Sequence, residues 1–322
     1  MKMRILKIIG IGLIILLVLV GIFLIASMIN HRNQLKKEAK MYPPPGNMVN
    51  VNNKTLHVFK EGEGDVTLVF MSGHGTSSPM LDFKPLWTRM VEDYKIVVVE
   101  KSGYGWSDAS NSARDIDTIL EETREALNLS GERGPFVLLP HSMSGLEAIY
   151  WAQKYSDEVT AIIGLDPTTP DAVEILPMPP KIQLDLIYFI SRIGLSRWMA
   201  EADLKENLPL LKSLELTEEE KHQYTASFYR SSLTKDMMKE VNNLKKNAQE
   251  VATKGYPSNI PMLFFISTGQ EKVVSGWIKS LTDYLDHISV SQYEVLDTGH
   301  YIHHEKADVI ADHIKQFIDA IR

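Results

Sequence analysis

A serine in a tight turn and a histidine close to the C-terminus are the residues of this chain best placed for nucleophilic chemistry. Ser142 lies within Phe136-Val137-Leu138-Leu139-Pro140-His141-Ser142-Met143-Ser144-Gly145, where a short apolar run ends and a helical stretch begins near Leu146. A strand, a sharp turn with a central Ser and then a helix leave the hydroxyl exposed at a helix N-terminus. The positive end of the helix dipole then lies where an oxyanion would form. A serine hydroxyl is a weak nucleophile until a neighbouring base removes its proton. His300, in Asp297-Thr298-Gly299-His300, can take that proton and return it to a leaving group. His303 and His304 follow at helix-like spacing, but no HExxH pattern or carboxylate motif accompanies them. No metal site and no cofactor is therefore expected.

The elements that must hold these residues are legible as an alternation. Short apolar, β-branched runs occur at residues 66–71, 94–99, 136–139, 159–165, 261–267 and 291–296. Most are continuous rather than alternating, as expected of strands buried on both faces of a parallel sheet. Helix-length stretches such as 113–129 and 146–155 lie between them. An opening hairpin, 48–51 and 55–60 around Asn52-Asn53, would add antiparallel edge strands. The order predicts an α/β fold, a mostly parallel open sheet flanked by helices. Residues 166–260 break the rhythm, with no strand but helical periodicity at 184–199, 217–232 and 233–251. A helical insertion there, residues 167–258, reads as a cap over the strand ends, where open α/β sheets bind ligands.

With these elements in place, residues 48–322 resemble the α/β-hydrolase fold superfamily, in the form of a serine hydrolase with a helical cap. The family pattern G-x-S-x-G is altered here: Pro140 and Ser144 stand for its glycines, and Gly145 follows one place later. The resemblance implies Ser142 as nucleophile and His300 as base, in the family's chain order. It also implies an oxyanion hole made by the main-chain N–H groups of His74, in Ser72-Gly73-His74-Gly75, and Met143. Residues 100–107, Glu-Lys-Ser-Gly-Tyr-Gly-Trp-Ser, look like the family's D-x-x-G-x-G-x-S turn. The triad acid has two candidates. The usual slot after the seventh strand holds Lys272, with Glu271 one place early; Asp166 ends the sixth strand, a position some members use. Asp166 is the favoured assignment, and Glu271 stays open.

Composition bounds the partners. The net charge of −7 divides into a basic N-terminus and a remainder with 27 basic against 40 acidic residues, a net of −13. So acidic a body will not bind nucleic acid by neutralising phosphates. There is no cysteine, which excludes disulfides and a thiolate nucleophile. Residues 8–28 carry no charge, and as a helix they would span roughly 31 Å, the thickness of a bilayer core. Residues 1–28 are read as an uncleaved membrane anchor rather than a signal peptide, whose apolar region is about 7–15 residues long. Residues 29–47, ending in Tyr42-Pro43-Pro44-Pro45-Gly46, are read as a stem that proline stiffens into an extended spacer. The expectation is a single-pass membrane protein with its hydrolase domain, 48–322, outside the cytoplasm. A Ser nucleophile implies acyl transfer to water, and the apolar cap residues suit a small apolar ester. Cleavage of short peptides, or a non-catalytic binding module on the same fold, are the competing readings.

Overall fold

The computed structural model describes residues 2–110 and 112–322. Its first element, α1 (Lys2–Met41), is a single helix of 40 residues. It is long and apolar enough to cross a membrane, with mean hydropathy 3.4 over its most apolar stretch, none of which is buried. The expected stem differs in form. Residues 29–41 continue the helix, because they contain neither Gly nor Pro, and the proline run at 43–45 is what ends it. Only the five residues 42–46 separate α1 from the first strand.

The opening hairpin pairs β1 (Asn47–Val51) with β2 (Lys54–Glu61), and its turn residues Asn52 and Asn53 both take left-handed backbone, φ 51° and 62°. Then come β3 (Thr67–Met71), β4 (Lys95–Val99), α2 (Ile116–Leu129), β5 (Phe136–Pro140), α3 (Ser144–Lys154) and β6 (Val159–Leu165). The remaining long elements are α4 (Lys181–Arg192), α5 (Glu218–Ser231), α6 (Lys235–Thr253), β7 (Met262–Ser267), α7 (Trp277–Leu285), β8 (Ser291–Leu296) and α8 (Ala307–Ile321). The strands form one eight-stranded sheet in the order β1-β2-β4-β3-β5-β6-β7-β8, antiparallel at β1, β2 and β4 and parallel from there on.

Continuous apolar strands are what such a sheet requires, because successive side chains serve two cores. Val69, Leu138, Ile162 and Phe264 pack on one face with α2, α3, α6 and α7. Leu68, Leu139, Ile163 and Phe265 pack on the other with α8 and the short helices after β3.

Between β6 and β7 the chain is helical, as its periodicity suggested. The helix expected at 184–199 stops at Arg192, and a separate turn, Leu195–Trp198, follows. Gly194 separates them with φ 75°, and α1 lies so close that a Cβ there would sit 2.4 Å from the Cβ of His31. α5 begins with a capping box between Thr217 and Glu220. The later half of α6 buries Leu244, Ala248 and Val251 against the sheet core, so it also serves as the crossover that returns the chain to β7.

Candidate active site

Ser142 occupies the turn between β5 and α3 with φ 55°, the left-handed backbone of a strained elbow. The two departures from glycine have local explanations. Pro140 is the last residue of β5, opposite Met71 of β3, and lies where the pairing with β6 is interrupted between Leu138 and the bridge from His141 to Leu165. Ser144 is fully buried, and its hydroxyl lies 2.7 and 2.8 Å from the carbonyls of Met71 and His141. It ties the start of α3 to the end of β3. Gly145 is where close packing falls, since a Cβ there would meet the Thr168 carbonyl at 2.5 Å.

Asp166 follows β6 directly and is fully buried, also with left-handed backbone at φ 50°. Its Oδ2 accepts from His300 Nδ1 at 2.6 Å and from the Ser267 hydroxyl at 2.7 Å. Its Oδ1 accepts from the Ser267 amide at 3.0 Å and from Trp277 Nε1 at 2.8 Å. Four donors fix the orientation of this buried carboxylate. His300 is partly exposed, with its side chain 24% accessible. Glu271 does different work. Its carboxylate accepts the main-chain N–H groups of Gly276 at 2.9 Å and Ile278 at 2.8 Å, where it caps α7. Those backbone hydrogen bonds hold its carboxyl below the usual range.

Two partners in this arrangement had no local sequence signal. Trp277 reaches Asp166 from the start of α7, and Ser267 reaches it because β6 and β7 run in register, with Leu165 opposite Phe265. His141, beside the serine, is another. It is fully buried, its ring lies 4.8 Å from that of His300, and its Nε2–H donates to the His300 carbonyl at 3.2 Å. Burial pushes its imidazole well below its ordinary value, so it is neutral.

His303 and His304 meet a carboxylate that sequence proximity could not reveal. Their Nε2 atoms lie 3.0 and 3.1 Å from the two oxygens of buried Asp82. The three groups are close enough to share an ion, yet each imidazole Nε2 faces a carboxylate oxygen and serves it as an N–H donor. Burial pushes the Asp82 carboxyl up, but the two histidines outweigh it and hold it far below the usual carboxylate range. Burial likewise lowers His303 to about 4. The turn at 100–107 is braced internally, with Glu100 accepting the Trp106 N–H at 2.6 Å.

A cavity of about 230 Å³ opens at Ser142, with His74 and Met143 in its wall. Leu176, Met178, Leu184 and Leu244 make much of the rest, and among the described residues no acidic side chain lines it. Burial chiefly lowers the His74 side chain to about 4, so it too is neutral there. A larger cavity of about 540 Å³ lies at the other end of β5, beside Gly134 and Phe136, among charged groups such as Arg124 and Glu158. Those two pair with each other at 2.5 Å, and neither is near Ser142.

A sequence model of the family described as serine aminopeptidase, S33, matches residues 62–307. The chain is 34% identical over 284 residues to the uncharacterized protein YbdG of Bacillus subtilis (strain 168), covering 87% of this chain and 86% of that protein. Among solved structures, a naproxen esterase from Bacillus subtilis superposes with a TM-score of 0.61 at 16% identity, covering 90% of this chain and 97% of the esterase. A bacterial membrane phospholipase A superposes with a TM-score of 0.58 at 17% identity, covering 98% and 99%. At those identities the structural likeness is one of fold.

Proposed function

Because the chain belongs to the serine aminopeptidase, S33, family of α/β-hydrolases, and is thus a hydrolase, we propose that it is a membrane-anchored serine hydrolase cleaving a small apolar ester through an acyl-enzyme on Ser142. The observation that carries this reading is the 2.6 Å contact between His300 Nδ1 and buried Asp166. It leaves Nε2 of the imidazole free to act as base for a nucleophile on the adjacent elbow. In this reading Ser142 Oγ attacks the ester carbonyl as His300 accepts its proton, and Asp166 stabilises the imidazolium. The main-chain N–H groups of His74 and Met143 receive the oxyanion. His300 then protonates the departing alcohol, and water, activated by the same imidazole, releases the acid.

Residues 1–28 serve as the anchor and 29–47 as the spacer, with the catalytic domain at 48–322 and outside the cytoplasm. Residues 167–258 form its cap, whose Leu176, Met178 and Leu184 supply an apolar wall. That wall favours an acyl chain. An enzyme that removes N-terminal residues would need an anion for the substrate's ammonium group, and among the described residues no carboxylate lines the cavity. The test is turnover of p-nitrophenyl esters of graded chain length beside aminoacyl-arylamides. Wild type is expected to cleave the esters and Ser142→Ala to lose that activity by at least about 10³-fold. Preference for the arylamides, or an active Ser142→Ala, would overturn the proposal.

A further inference from the structure

Beyond the cavity wall, α4 carries a second apolar surface that the described residues leave exposed. Ile182, Leu186 and Phe189, spaced four and three residues apart on one face, are 79, 56 and 51% exposed. The opposite face turns Leu184 into the Ser142 cavity. This surface is continuous with α1. Ile193, at the end of α4, accepts from the Ser27 hydroxyl at 2.9 Å, and Trp198, 60% exposed, donates to Ser27 at 3.2 Å. The Trp198 ring lies 5.5 Å from that of Phe23. Arg197 locks the joint just outside, with both terminal guanidinium nitrogens on Glu38 at 2.6 and 2.7 Å.

The position of that joint along α1 sets its depth. Phe23 and Ser27 belong to the last turns of the uncharged run that ends at Met28, so Phe23 is about 7.5 Å inside the end of the run. An element that touches both residues stands at the boundary of headgroups and acyl chains, where tryptophan is favoured. From there α4 runs about 18 Å back to Pro179 at the cavity. A helix with one apolar face outward, tethered at its end to a transmembrane segment, has the form of an interfacial helix.

We propose that α4 and the Leu195–Trp198 turn lie in the bilayer interface beside α1, so that the Ser142 cavity is filled from the lipid phase. The substrate class is then the acyl ester of a membrane-resident lipid. The net charge of −13 over residues 42–322 opposes anionic surfaces and points to neutral or zwitterionic headgroups. This inference rests on the serine hydrolase and membrane-anchor readings above.

The test uses the full chain reconstituted in phosphatidylcholine vesicles, with brominated acyl chains as a quencher. Trp87, Trp106, Trp151 and Trp277 are at most 9% exposed, so Trp198 is the one tryptophan in reach of lipid. Wild-type emission is expected to be quenched, and Trp198→Phe to lose most of the quenching. Absence of a Trp198-dependent component overturns the proposed surface. In a second measurement, Leu186→Glu/Phe189→Glu is expected to hydrolyse soluble p-nitrophenyl acetate within twofold of wild type but vesicle-embedded diacylglycerol at least tenfold more slowly. Equal rates on the embedded ester overturn the lipid substrate. A change of oligomeric state in that variant with unchanged quenching would assign the face to a second copy of the chain and overturn the proposal as well. If wild type cleaves no ester, the Ser142 reading fails, while the quenching still decides the surface.

Discussion

Asp166 and Glu271 are two carboxylates that the sequence left in competition, and their surroundings separate them. Asp166 is buried under four donors, one of them His300, whereas Glu271 is spent on the N-terminus of α7. Spacing along the chain could not decide this, because the deciding contact depends on how β6 and β7 register and on where α7 starts. Ser142 and His300 stand out in the sequence because each sits in a local strand-turn pattern; the contacts of Trp277, Ser267 and Asp82 do not, since their partners are more than a hundred residues away. Asp166→Asn places an amide against the His300 Nδ1–H and the other donors. It is expected to lower kcat on p-nitrophenyl esters by about 10³-fold or more. Glu271→Gln should leave kcat within about threefold and cost about 1 kcal/mol of stability, as removal of a helix cap does. Steady-state kinetics and thermal melts of both variants check this. The reverse ranking of kcat would transfer the acid's role to Glu271.

At the scale of elements, the positions of the strands and the helical interval between β6 and β7 followed from the pattern of apolar runs. What periodicity did not convey was the break at Gly194, which arises because α1 packs there, and the packing of the later half of α6 on the sheet core as the chain returns to β7. Nor did the proline-rich tail of the spacer reveal that the segment before it stays helical. The joint between β5 and α3 makes its own prediction. Gly145→Val forces side-chain atoms into the Thr168 backbone, which a Cβ alone would approach to 2.5 Å. Overpacking of that kind costs about 1–3 kcal/mol. A lowered melting temperature, with Ser142 displaced enough to slow turnover, is the expected result. An unchanged melting temperature would mean that α3 does not sit so close to the β6 exit.

For the whole molecule, buried neutral histidines set the response to acid. His74 and His303 are lowered to about 4 and His141 lies well below its ordinary value, each chiefly by burial. In the unfolded chain these side chains titrate near 6.5. As pH falls below that value the unfolded state takes up protons that the native state resists until about 4, so stability declines across that window. Asp82, whose carboxyl is held low in the fold, adds to the loss in the same direction at still lower pH. The urea midpoint is expected to be lower at pH 5 than at pH 7.5; an equal or higher midpoint at pH 5 would contradict the neutral burial of these rings. The proposed chemistry turns on one atom, the hydroxyl oxygen of Ser142. Intact-mass measurement after exposure to a fluorophosphonate addresses it most directly. The prediction is a single adduct that maps to Ser142 in the wild type and is absent from Ser142→Ala. A folded wild type that takes up no adduct, or carries it on another residue, would contradict the central claim.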